Sequence, residues 1–429
     1  MRAIPSQKQI CAHDASRTCV AGGFDIEGLM QKERGLWLAL AFSVVANAAL
    51  GQIDPQQREL VQLGFSQAVQ GASPVGAYAY YYLNEPNFFG TNITLRLALA
   101  PVYLDSEIGF AHLLGPNTDL GVGLAGGGFA DNYYEVRQGK YVPSESFTGD
   151  GAEGSISVYH LFNPGQLIPL SGLVRVKARL SMYQGNDELA PGFELPPNHW
   201  TLGWRVGLRL GGREPLLWPD LAMEVSAWYE GQFRTESGAY GLEDDRELEA
   251  RSDLFWGRAL LIYTLPKSKQ SMDVSVTGGA SVNADRFSAY RLGGDLPLAS
   301  EFPLAIPGYF YQELSASSFA ALTARYTVPL NDAKTWSLSP VGSAAVLDYV
   351  EGLDQPGHFN SGIGLEAGYR SRNGVWQVAA TYGYGFEAIR SNGRGGQSVG
   401  ILCQINLGAR NPGAASQLDR VIGYFPSHF

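Results

Sequence analysis

From about Pro74 to Gly408 the chain alternates apolar and polar residues at every second position, in segments of about 9–14 residues with no helical period between them. In "LVRVKARLSM" the residues Val174, Val176, Ala178, Leu180 and Met182 interleave with Arg175, Lys177, Arg179 and Ser181. "WTLGWRVGLRL" sets Trp200, Leu202, Trp204, Val206, Leu208 and Leu210 against Thr201, Arg205 and Arg209. Side chains two apart on a strand share a face, so each segment has one apolar and one polar face. That pattern admits a soluble barrel, apolar inside, or a membrane barrel, apolar outside. Two features favour the membrane barrel: strands long enough to cross the hydrocarbon at a tilt, and Trp or Tyr at the ends of the apolar face. The 53 Gly, 22 Tyr and 20 Phe with only 17% charged residues suit many strands and turns.

Export agrees with this reading. "LWLALAFSVVANAALG" (36–51) is a compact apolar run after Lys32 and Arg34, ending in small residues, as in a secretory signal peptide. The expected organisation is a non-native extension over 1–29, a signal peptide over 30–51 and a short periplasmic or plug segment over 52–73. A barrel over 74–408 and a tail or last strand over 409–429 follow. Asp54–Gln70 has loosely helical spacing at Leu60, Leu63 and Val69 and is read as a short helix or as part of a missing strand.

Short connections at 115–118, 266–270, 331–334 and 371–374 alternate with long ones at 131–153, 184–198, 234–252 and 284–317, as an up-and-down outer-membrane barrel requires. About fifteen strands are legible. An even count is expected, so one more is sought near 55–72 or within 131–153, and sixteen is the working number. The fold class is therefore all-β, a transmembrane antiparallel up-and-down barrel.

One long connection is unusual. "RLGGDLPLASEFPLAIPGYFYQEL" (291–314) is too apolar for a solvated loop and too rich in turn residues for a strand. It is expected to fold inward from the extracellular side as a lid on the lumen, with Arg291, Gly293, Gly294, Ile306, Pro307, Gly308 and Tyr309 as its marker residues. The order Arg291-Leu-Gly-Gly, a variable stretch, Gly308-Tyr309, a strand ending Tyr326-x-x-Pro329-Leu330 and a Gly-rich C-terminal run resembles the Omp85 superfamily barrel of the surface antigen D15 type, over roughly residues 253–408. The resemblance implies a sixth extracellular loop folded into a barrel of sixteen strands, five of which follow the loop. It implies a role in protein insertion or transport at the outer membrane. The chain departs from the pattern at Pro307, where the family carries an arginine that would bond an acid on the wall, with Glu366 or Glu387 the candidates here. It also leaves too few residues between the signal peptide and the first clear strand for a POTRA domain.

The polar face predicts a lumen wall of Arg175, Lys177, Arg179, Arg205, Arg209 and Arg325, with further arginines at 96, 258 and 370. Fewer acids are read inward: Glu224, Glu230, Glu366 and Glu387. Such a wall either packs the lumen, its arginines paired with acids of neighbouring strands or of an inserted loop, or lines a passive porin-like, anion-favouring channel; a surface structural or adhesion protein is a third reading. No nucleophile motif or metal-ligand spacing is present, so neither catalysis nor a cofactor is expected. Expected partners are outer-membrane lipid and a periplasmic partner or client protein; the formal charge of −10 argues against nucleic acid.

Overall fold

The computed structural model describes residues 56–408 other than 75, 213–215, 295, 297–301 and 392. The extension, the signal peptide and the 409–429 tail lie outside the described residues. Sixteen antiparallel strands form a closed barrel. They are β1 (Arg58–Ala68), β2 (Gly76–Pro86), β3 (Ile93–Ala100), β4 (Tyr103–Gly115), β5 (Thr118–Gly127), β6 (Thr148–Leu161), β7 (Leu170–Gln184) and β8 (His199–Gly212). The second half comprises β9 (Leu221–Arg234), β10 (Arg251–Thr264), β11 (Ser271–Val282), β12 (Leu314–Pro329), β13 (Trp336–Tyr349), β14 (Phe359–Arg370), β15 (Trp376–Arg390) and β16 (Gly393–Asn406). Each strand pairs with its sequence neighbours, and β1 closes the ring on β16 from Leu60↔Asn406 to Ala68↔Ser398.

β1 corrects the helical reading of residues 54–70. Leu60, Gln62, Gly64, Ser66 and Ala68 are buried while Leu63 and Phe65 are exposed, a period of two. The apparent helical spacing of Leu60, Leu63 and Val69 arose from sampling both faces of a strand. The strand sought near 55–72 is this one. The 131–153 stretch instead supplies a small hairpin, Val136–Arg137 with Lys140–Tyr141, and the start of β6.

The two faces of the wall decide between the soluble and the membrane barrel. Large apolar side chains such as Val174, Leu202, Val225, Ile363 and Ile401 point outward and are exposed, whereas Arg175, Thr201, Glu224, Gln404 and Ser398 point inward and are buried. An apolar exterior around a polar interior suits hydrocarbon as the outer solvent. The long connections 128–147, 185–198, 235–250 and 283–313 all leave one end, taken as extracellular by their length; most of those at the other end are short.

Loop residues build a dome over the extracellular end. Phe193–Glu194, Gly238–Leu242 and Arg246–Leu248 form a three-stranded sheet. Beneath it Tyr133, Phe147, Tyr183, Tyr240 and Phe287 pack together. Glu135 lies among them, accepting from Tyr133 and facing Arg286 and Arg246. Burial lowers Arg286, but the Glu135 carboxylate together with Tyr133 and Tyr240 outweighs that and holds the guanidinium above its ordinary value.

Candidate functional site

The interior is occupied from both ends. From outside, the 283–313 loop crosses the lumen. Its neck is fixed where Gly293 N–H donates to Leu304 (2.9 Å) and Gly294 bridges Ile306. Its tip, Ile306 to Phe310, is buried against the inner wall of β14–β16. That wall is made for backbone. Gly362, Gly364, Gly383, Gly385 and Gly396 face inward, and side chains at Gly364 and Gly383 would meet Cβ of Pro307 at 3.3 and 2.8 Å. Gly308 has φ +86°, and a Cβ there would fall on the backbone of Tyr384 and Gly385. Gly308 N–H donates to Ser398 Oγ (2.9 Å), and Tyr309 Oη donates to Asn360 Oδ1 (3.0 Å).

The loop is latched by a charge pair of the opposite polarity to the one that the family resemblance implies. The guanidinium comes from the wall. Arg390 on β15 donates from Nη1 to Glu313 Oε1 (2.8 Å), and from Nη2 to Glu313 Oε2 (3.0 Å) and to the Gly308 carbonyl (3.0 Å). It also lies 3.9 Å over the Phe310 ring. Both partners of this pair are fully buried, and Glu313 accepts in addition from Phe310 N–H (2.7 Å). Bidentate geometry with a third donor is what makes a buried pair tolerable. Two strands round the ring from β16, Leu296 and Tyr311 of the same loop rest on Gly76 of β2, where a Cβ would be 2.7 Å from Tyr311.

From the periplasmic end, the β8–β9 turn reaches inward. Leu217 is buried among Leu60, Tyr80, Tyr82 and Leu402. Its N–H donates to Gln404 Oε1 (2.9 Å), which also accepts from Gln62 Nε2 (3.0 Å) across the β16–β1 closure. Trp218 Nε1 donates to Glu366 Oε1 (3.1 Å). Nothing in the alternation pattern marks this turn as an insertion; "EPLLWP" reads as an apolar turn.

Of the two wall acids considered as partners for a loop arginine, neither meets the loop tip as a salt bridge. Glu366 pairs with Arg325 (3.3 Å) and Trp218. Glu387 falls at a register shift between Gly385 and Ile389 and leaves the inward row, accepting from Ser361 N–H (2.7 Å) and Oγ (2.9 Å).

The expected basic wall is corrected to a charge-paired one. Arg175 donates to Glu107 Oε2 (2.7 Å), with Tyr159 Oη on the same carboxylate. Arg258 and Arg209 flank Glu224 at 2.6 and 3.7 Å. Arg205 pairs with Glu230 (3.0 Å), Arg179 with Asp131, and Lys177 lies 3.5 Å from Glu153. Glu107 and Glu153 were not among the acids read inward; the parity of "YLDSEIGF" puts Tyr103, Asp105 and Glu107 on the inward face. Between the two insertions and this wall lie a cavity of about 510 Å³ on the extracellular side and one of about 240 Å³ on the periplasmic side, sharing no lining residue.

No family model matches the chain, and no curated protein matches it. Solved structures do. CdiB from Acinetobacter baumannii superposes with a TM-score of 0.55 at 11% identity, covering 83% of this chain and 61% of that one. The chain shares the barrel fold of that structure. CdiB from Escherichia coli gives a TM-score of 0.52 at 11% identity, over 82% of this chain and 64% of that one. BamA from Haemophilus ducreyi lacking POTRA domains 1–3 gives 0.51 at 9% identity, over 81% of this chain and 70% of that one. The chain thus spans under two thirds of either CdiB chain.

Proposed function

We infer that this Omp85-type barrel resides in the bacterial outer membrane, where it takes part in inserting or transporting protein, with the 283–313 loop as its lid. The observation that carries the reading is the built seat for the loop tip: a strip of inward glycines on β14–β16 and a buried Arg390–Glu313 latch. A loop merely tucked away from water needs neither. A passive channel calls for a continuous water path, and two insertions enter this lumen.

The test uses the chain from Gln52 onward reconstituted in lipid vesicles, with a urea-unfolded eight-stranded outer-membrane barrel as client. The expected result is a severalfold faster folding of the client than in empty vesicles, lost in Arg390→Ala while the variant stays inserted. No acceleration, together with a large steady current in planar bilayers, would overturn this reading in favour of the passive channel.

A further inference from the structure

The periplasmic rim differs from one side of the barrel to the other. On the arc from β10 to β15, rings stand on the outer face at the strand ends: Tyr263 on β10, Tyr326 on β12, Trp336 on β13 and Trp376 on β15, all exposed. Tyr369 on β14 packs beside Trp336, ring centres 4.9 Å apart. Just beyond the rings, the connecting turns carry cations. Lys267 and Lys269 follow β10, Lys334 follows β12 and Arg372 follows β14, each exposed. None pairs with a carboxylate among the described residues, although Asp332 shares the turn of Lys334. Lys334 Nζ instead donates to the Lys267 carbonyl (2.7 Å), which draws the ammonium of one turn onto the next and gathers like charge.

The backbone of these turns carries the same message. Lys269 and Lys334 sit at φ +58° and +54°, in the left-handed region. The turns after β2, β4, β6 and β14 fill their left-handed positions with Asn87, Asn117, Gly165 and Gly374, residue types that adopt this conformation at little cost. A lysine at either place adds backbone cost and does nothing for the turn, so its side chain is what the position needs. The opposite arc lacks the feature. The turns at 87–92, 116–117 and 162–169 hold no Lys or Arg, and that rim exposes Phe89, Leu113, Leu114 and Leu167.

We propose that the β10–β15 arc is a contact surface for anionic phospholipid. Its Trp and Tyr rings lie at the boundary between hydrocarbon and headgroups, and Lys267, Lys269, Lys334 and Arg372 take the headgroup phosphates of the adjoining leaflet. A zwitterionic lipid balances its phosphate with its own cation, so four uncompensated cations select lipid of net negative charge. Such a surface follows from the membrane-barrel fold and is independent of the client-folding role.

The test reconstitutes the barrel in mixed phosphatidylcholine and phosphatidylglycerol vesicles, with one or the other lipid brominated on its acyl chains, and reads quenching of tryptophan fluorescence. The signal lost on Trp336→Phe with Trp376→Phe reports on the arc. The signal lost on Trp200→Phe, exposed at the extracellular end of β8, is the reference. Phosphatidylglycerol should be preferred about fivefold at the arc, the preference that one Lys or Arg gives at an anionic surface, with no preference at Trp200. The preference should fall with added salt. It should vanish in the fourfold variant Lys267→Gln, Lys269→Gln, Lys334→Gln, Arg372→Gln and persist in Lys267→Arg, Lys269→Arg, Lys334→Arg, Arg372→Lys, which separates lost charge from lost fold. Equal quenching by the two lipids at the arc would overturn the proposal, as would a preference that survives the Gln changes or is matched at Trp200. Binding of soluble polyglutamate to the rim, with the two lipids quenching equally, would overturn it in favour of an acidic protein partner.

Discussion

The β14–β16 wall and the β6–β10 wall face the same lumen and fill it in opposite ways. On β14–β16 a strip of the inward positions is glycine, and the space it leaves is taken by the backbone of a loop. On β6–β10 the inward positions carry Arg, Lys, Glu and Trp, which fill their own half of the barrel with paired charges and stacked rings. An inner wall can thus be completed by side chains or by an inserted segment, and the residue size at alternate positions determines which. The first solution depends on steric fit at a few atoms, the second on charge balance across neighbouring strands.

Removing a carboxylate from the charged wall should have the largest effect. Glu224→Ala leaves Arg258 and Arg209 buried without their shared acid, and we expect a loss of about 3–5 kcal/mol in urea unfolding from lipid vesicles. The double change Glu224→Leu with Arg258→Met should recover much of that loss. If the single variant unfolds at the unaltered midpoint, the charged wall is solvated and the contrast between the walls fails.

The glycine wall should respond to a single methyl. Gly308→Ala places Cβ on the Tyr384–Gly385 backbone at a φ of +86°, and overpacking with left-handed strain is worth roughly 2–3 kcal/mol. Limited proteolysis of whole cells should then cut between residues 302 and 313, where the unaltered loop resists. Gly364→Ala, with its nearest atoms at 3.1 and 3.3 Å, should produce a weaker version of the same phenotype. At the bottom of the scale, Arg251→Ala removes an exposed pair with Asp253 and should leave the urea midpoint unchanged.

Much of this architecture was legible in the sequence, because period-two alternation reports the strand and its faces directly. Five strands were expected after the loop, and five follow it, beginning at Leu314, Trp336, Phe359, Trp376 and Gly393. Pairing was much less accessible. Arg175 reaches Glu107 from β7 to β4, past two intervening strands, so the partner depends on register and side-chain length, neither of which alternation encodes. Glu387 was misplaced because a bulge resets parity without any sequence mark beyond small residues nearby. The latch was sought as a loop arginine; that Arg390 could supply the same charge from the wall follows only once the loop tip is seated beside β15.

The inward turn at Leu216–Trp218 bears on how such a barrel is filled. The two insertions have separate origins: the extracellular loop is held by Arg390, and the β8–β9 turn by Gln404 and Glu366. The lumen is thus filled from two ends by segments held through different contacts, side-chain hydrogen bonds at one and a charge pair at the other.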